Sequence, residues 1–219
     1  MGNVFNQSNL HFLLDGLYLT LVVALATCVI SIIFGTFLAI TRNYGGRIIS
    51  SLAAIYIEVF RNTPLLLWML TAVFVLPSFF GRAEPAIWGT IGFSLYTSSV
   101  MAEIIRGGLN SVPKGQFEAA YSQGFSQFFT LFYIILPQTF RKVIPSMLSQ
   151  IITTFKDTSF LAGLQIAELT YQSKIILAQL ASFQEILAMI GLIAGVYFVI
   201  CFSLSVLVRY LDKKMAYIS

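Results

Sequence analysis

Apolar positions along the chain gather into about five long runs, each broken off by a polar cluster. The first, 17–40, is nearly unbroken; at about 1.5 Å per helical residue it crosses a hydrocarbon core of about 30 Å with some tilt. The second, 52–80, is interrupted by Glu58, Arg61, Asn62 and Pro64. Its 63–80 part is predicted to span alone, with 50–62 a helical lead-in near one face. The third covers 86–105, the fourth 139–161 with Pro145 a predicted kink, and the fifth 186–210. The pattern predicts an all-α polytopic membrane protein with one transmembrane domain, 1–219.

Between the third and fourth runs lies an elbow, 111–137. Pro113 stands where a helix begins without needing an N–H, and Ser111 is a candidate cap. That piece is predicted to run to Gln123 and stop at Gly124, the residue type that takes a left-handed turn at little cost. Ser126 is predicted to cap a second piece, which Pro137 ends.

Composition excludes a soluble domain of any size. Of 219 residues, 58% are hydrophobic and 10% charged, against about a quarter charged in soluble proteins. The net charge of +4 follows from basic residues concentrated on one side of a membrane rather than from nucleic-acid binding. Arg42, Arg47, Arg106, Lys114, Arg141, Lys142, Arg209, Lys213 and Lys214 flank the same side of the runs, nine of the 13 Lys plus Arg. That side is expected to be cytoplasmic, with the N-terminus outside and the C-terminus inside. The start, 1–9, lacks the basic segment of a cleavable signal. Residues 163–185, with Glu168 and Lys174, then form a polar outer segment holding a short helix, and His11 is an interfacial residue. Cys28 and Cys201 sit in apolar runs and imply neither disulfide nor metal site.

Candidate chemistry lies in the spans. Thr90, Ser94, Thr97 and Ser98 follow helical spacing and form one polar stripe, which either bonds a neighbouring helix or lines a wet path. Gln150, Thr153 or Thr154, and Asp157 share a face of the fourth run. A carboxylate at membrane depth is costly and usually functional. Thr97, Ser98, Gln150, Thr153, Thr154 and Asp157 are therefore the candidate substrate path. Glu58 and Arg61, three apart on one helix, are expected to pair; with Pro64 they are either a gate or an interfacial ion pair. Gly191 and Gly195 permit close helix contact, within the chain or between subunits. No GxxxxGK[ST] stretch occurs, and the single His leaves no catalytic constellation. The chain is expected not to be an enzyme and to carry no cofactor or metal.

Glu118-Ala119-Ala120, three residues, Gly124, nine residues, Ile134, one residue, Leu136-Pro137 resembles the EAA loop of ABC importer permeases. The runs EVFRNTPLL, TSSVMAEIIRGGLNSVPKGQFEAA and FKDTS resemble the polar amino-acid branch of that family, with Asn62 where Gly is more usual. The resemblance implies a type I importer in a bacterial cytoplasmic membrane. The elbow becomes a cytoplasmic coupling helix, and Glu118, Ala119, Ala120, Gly124, Leu136 and Pro137 engage a separate ATPase subunit pair that holds ATP and Mg. It also implies a second permease subunit, identical or not, an extracytoplasmic solute-binding protein and an alternating-access cycle. The alternative class is a secondary transporter or channel driven by an ion gradient, which Lys156 and Asp157 would serve equally as a relay.

Overall fold

The computed structural model describes residues 6–216, and among these there are helices and no strands. Helix α1, Gln7–Tyr44, begins well before Leu17 because Asn6 Oδ1 accepts the Asn9 N–H at 2.7 Å, capping an orphan donor. Its length carries it past Ile40 to a stop at Gly45.

The second apolar run is not one passage. Helix α2, Arg47–Arg61, is followed by α3, Leu65–Phe74, and the short α4, Pro77–Phe80; the two arms meet at 101°. Pro64 causes the break, since its ring drives Thr63 away from helical geometry. The corner is then stitched: Asn62 Nδ2 donates to Glu58 O at 2.8 Å, and Trp68 Nε1 donates to Thr63 Oγ1 at 2.6 Å. At about 1.5 Å per residue α3 alone reaches about half the hydrocarbon thickness. The run is thus a bent pair, and its break falls where the 50–62 lead-in was expected to meet the 63–80 part.

Helix α5, Pro85–Asn110, lies at the centre, packed against α1, α2, α3 and α8. Close approach of α1 requires Gly35: a Cβ there would stand 2.7 Å from Met101 Cβ and 2.9 Å from Ser98 O. Of the predicted stripe, Ser94, Thr97 and Ser98 are buried in this packing, while Thr90 is half-buried and its hydroxyl donates to Ala86 O at 2.7 Å.

Helix α6, Lys114–Ser122, starts after Pro113. Ser111 does not cap it; its hydroxyl donates back to Gly108 O at 2.8 Å, inside the last turn of α5. The second piece begins as foreseen, with Ser126 Oγ accepting the Phe129 N–H at 3.4 Å. It does not end at Pro137. The short α7, Gln127–Phe129, passes through a π-helical segment, Thr130–Ile135, directly into α8, Leu136–Asp157. The wide turn shifts the bonding ladder by one residue, with the Leu136 N–H reaching Leu131 O. The proline then sits in the first turn of a new α-helix, where its missing N–H is tolerated. Helix α8 also runs unbroken through Pro145.

A 3-10 segment, Thr158–Leu164, leads to α9, Leu169–Leu177, and the long α10, Phe183–Ala216. Three apolar clusters follow one another along the molecule. One, around Ile57, Met101, Ile105 and Ile135, lies at the elbow end; a middle one holds Met69, Phe93 and Leu161; the third joins Leu13, Leu169 and Met189. Helices α1 and α10 meet the length and hydropathy of membrane spans, and the bent pair makes a third by composition. Helices α5 and α8 carry more polar residues: Ser94, Thr97, Ser98 and Ser99 of α5 are buried, whereas Arg141, Lys142, Ser146, Ser149 and Lys156 of α8 are exposed. The protein is an all-α polytopic membrane protein. A Cβ at Gly191 or Gly195 would meet nothing within 4 Å, so neither glycine serves contact inside the chain.

Candidate functional site

The elbow is built by its turn. Gly124 has φ +83, the Phe125 N–H bonds Ala120 O at 3.1 Å, and the Gly124 N–H bonds Tyr121 O at 2.9 Å. This is a complete Schellman closure, and it needs a residue that accepts positive φ. It reverses the chain so that Ala120 is buried while Glu118 and Ala119 stay exposed on the outer face of α6. Leu136 is buried and Pro137 exposed. Beside the turn lies an open depression of about 460 Å³ lined by Gln123, Gly124, Phe125, Ser126 and Phe129. Two of its lining rings, Phe125 and Phe129, are exposed, as are Tyr121, Phe128 and Tyr133 of the same elbow. Exposed rings and the Glu118 carboxylate thus share the surface of the elbow.

The predicted Glu58–Arg61 pair does not form as such. Each residue turns to a different neighbour, and Glu103 on α5 is the hub. Its carboxylate takes Arg106 Nε at 2.8 Å and Arg106 Nη2 at 2.8 Å, receives Arg42 Nη1 from α1, and lies 3.4 Å from Arg61 Nη1 on α2. Glu58 instead lies 3.2 Å from Arg42 Nη2. With 16% of its side chain exposed, against 53% for Glu58, Glu103 is the more sheltered acceptor and draws the guanidiniums. The network ties α1, α2 and α5 immediately before the 101° corner at Pro64, an exposed residue. Sequence reading missed Glu103 as a hub. The i, i+3 spacing of Glu103 and Arg106 was its only local signal.

The six candidate path residues divide. Thr97, Ser98 and Thr154 are fully buried in the chain's own interior. Ser98 Oγ donates to Leu95 O at 2.7 Å and lies 3.2 Å from Tyr56 OH; Thr154 Oγ1 donates to Gln150 O at 3.0 Å. Gln150, Thr153 and Asp157 remain partly open along α8.

A second hub lies at the opposite end. Glu168, fully buried, caps α9: Oε1 accepts the Tyr171 N–H at 2.8 Å and Oε2 the Thr170 N–H at 2.9 Å. Oε2 also accepts Tyr197 OH of α10 at 3.2 Å and Thr20 Oγ1 of α1 at 3.4 Å. Burial pushes this carboxyl above its ordinary value, while the donated hydrogen bonds pull it back. Sequence reading expected only a polar outer segment there; nothing local distinguishes a capping Glu from a solvated one.

Comparison with known proteins matches residues 31–217 to the model of the binding-protein-dependent transport system inner membrane component. The chain is 36% identical over 210 residues to the probable glutamine ABC transporter permease protein GlnP of Bacillus subtilis (strain 168), covering 96% of each. It is 34% identical over 216 residues to the glutamate/aspartate import permease protein GltK of Escherichia coli O6:H1, covering 95% of each. Among solved structures, a chain of an amino acid ABC transporter crystallised with histidines superposes with a TM-score of 0.81 at 29% identity, over 93% of this chain and 94% of that one. Sequence, fold and elbow agree: the chain belongs to the binding-protein-dependent transport system inner membrane components, and its likeness among them is to amino-acid ABC transporter permeases.

Proposed function

We propose that this chain is the permease subunit of an importer that moves a polar amino acid into the cytoplasm by alternating access. Its elbow docks on a separate ATPase pair holding ATP and Mg. The observation that carries the reading is the exposed Glu118–Ala119 face of α6, held out by the Schellman turn at Gly124. A short helix with small side chains enters a groove closely, and Glu118 supplies a partner for a basic group there. The relatives named for glutamine and for glutamate/aspartate support a polar amino acid as cargo. A second permease subunit and an extracytoplasmic binding protein complete the assembly, in a bacterial cytoplasmic membrane with the N-terminus outside.

The substrate path is assigned to the open flank of α8, where Asp157 meets an ammonium and Gln150 and Thr153 give neutral hydrogen bonds. An ammonium buried without a carboxylate would be expensive. Thr97, Ser98 and Thr154 support this flank from behind. The bend at Pro64, braced by Arg61 and Glu58, is the gate candidate.

The test is uptake into proteoliposomes carrying the whole assembly. Labelled L-glutamine and L-glutamate should accumulate only with ATP on the ATPase side, and collapse of ion gradients should leave uptake intact. Asp157→Asn should raise the substrate concentration for half-maximal uptake about tenfold, the size expected from losing a charge-assisted hydrogen bond. Uptake driven by an ion gradient without ATP would overturn the importer reading. Unchanged concentration dependence in Asp157→Asn would move the path off α8.

A further inference from the structure

An elbow that docks on an ATPase must pass its movement to the membrane helices, and among the described residues one side-chain hydrogen bond joins α6 to α8. Gln138 stands one residue after Pro137, in the first turn of α8. Its Nε2 has two N–H groups, and each is used: one donates to Gln116 Oε1 on α6 at 3.1 Å, the other to Ile134 O in the π segment at 3.0 Å. Gln116 precedes Glu118 on the same short helix. The side chain therefore joins the elbow helix, the π segment and the start of α8 through one planar amide.

Two independent features make this amide important. The π segment ends at the Leu136 N–H, and Pro137 has no N–H, so the backbone ladder is short of a rung at the junction. The ladder is weakest here, and π turns are where helices change register. The other side of the junction is clamped. A Cβ at Gly108 would stand 2.3 Å from Val143 Cγ1, so α5 touches α8 directly, and Lys142 Nζ donates to Ser111 O at 2.9 Å. The end of α5 thus moves with α8, while α6 reaches α8 across the weak turn.

We propose that Gln138 is a positioning residue that couples α6 to α8: its amide spans the π turn and converts displacement of the elbow into displacement of the fourth membrane helix. The proposal rests on the coupling reading of the elbow given above. Without the amide, α6 shifts while the π turn absorbs the movement, and ATP is spent with less transport.

The experiment uses the complete reconstituted importer with its ATPase pair, second permease subunit and binding protein. Labelled L-glutamine and L-glutamate are the cargo, and ATP hydrolysed per molecule imported is the readout. Gln116→Leu should raise that ratio about fivefold, the size of one lost hydrogen bond, and Gln138→Leu, which also loses the bond to Ile134 O, at least as much. The double variant should be no worse than Gln138→Leu alone, because Gln116→Leu removes a bond that Gln138→Leu has already removed. Gln116→Glu with Gln138→Lys rebuilds the link as an ion pair and should restore the ratio, which a fold defect would not allow. An unchanged ratio in the single variants, or additive losses in the double without rescue by the charged pair, overturns the role of Gln138. Glu118→Lys serves as the control for the elbow itself. If it leaves transport and ATP hydrolysis coupled, the docking reading falls and this inference with it. If it uncouples them while Gln138→Leu does not, only this inference falls.

Discussion

Glu103 shows how one carboxylate orders its surroundings. It holds Arg106 in a two-point bond and draws Arg42 and Arg61 from two other helices, so its loss strands Arg106 and Arg61 and leaves Arg42 with Glu58 alone. Glu103→Gln should therefore destabilise the chain by about 1–3 kcal/mol, the range for hydrogen bonds to charged groups. Glu58→Gln should cost under about 1 kcal/mol, because half-exposed ion pairs are screened. Thermal unfolding of the two variants in the same detergent checks the order, and equal losses would remove Glu103 from its central position. This hub was hidden in the sequence because its partners come from α1 and α2, and pairing across helices leaves no spacing to read. Glu58 and Arg61 had the spacing and did not pair; their side chains found other partners on α1 and α5. The polar stripe of α5 was visible, but the burial of Ser94, Thr97 and Ser98 among neighbouring helices was not.

The elbow was the most legible element, because its instructions are local. A glycine, a capping serine and a proline start are each read within a few residues. Gly124→Val puts a β-branched residue at φ +83 and should cost about 1–2 kcal/mol at the turn. In the assembled importer this should lower ATP-driven uptake severalfold while membrane insertion stays normal; uptake at the unaltered rate would show that the turn is dispensable. Pro137 misled for the same local reason. A proline usually stops a helix, and nothing nearby announces the π segment that lets α7 continue into α8. Pro64 behaved as its type suggests, yet the size of the bend, 101°, depends on how α2 and α3 each pack against α5.

At the scale of the molecule the distribution of Lys and Arg predicts the orientation. Two introduced cysteines test it in a Cys201→Ser background, since Cys28 is buried. Ser111 is exposed on the elbow and serves as the inner reporter. The outer reporter is Gln179, exposed just beyond α9, because Ser173 is 2% accessible and would stay silent from either side. An impermeant thiol reagent on whole cells should label Gln179→Cys and spare Ser111→Cys; the opposite pattern would invert the topology. Lys213 belongs to the C-terminal end of this scheme, while the side chain of Lys214 lies outside the described residues. Five predicted runs became two clear spans, a bent pair and two polar, well-packed helices. Hydropathy reports the lipid-facing helices faithfully and understates those wrapped by their neighbours.

The knot at Glu168 has a consequence in time. Its donors come from Thr20, from the start of α9 and from Tyr197, so the ribosome must deliver nearly the whole chain before the knot can be tied. Until α10 arrives, a carboxylate destined for burial lacks its phenolic donor, and the newborn protein exposes a polar defect that membrane proteases can find. Tyr197→Phe makes that unfinished condition permanent. In a pulse-chase experiment the variant should decay about fivefold faster than the parent, the size of one missing hydrogen bond expressed as population of the open form. An identical half-life would mean that α10 is retained without Tyr197. Helix α10 is thus expected to decide, through one phenol, whether the nascent chain survives.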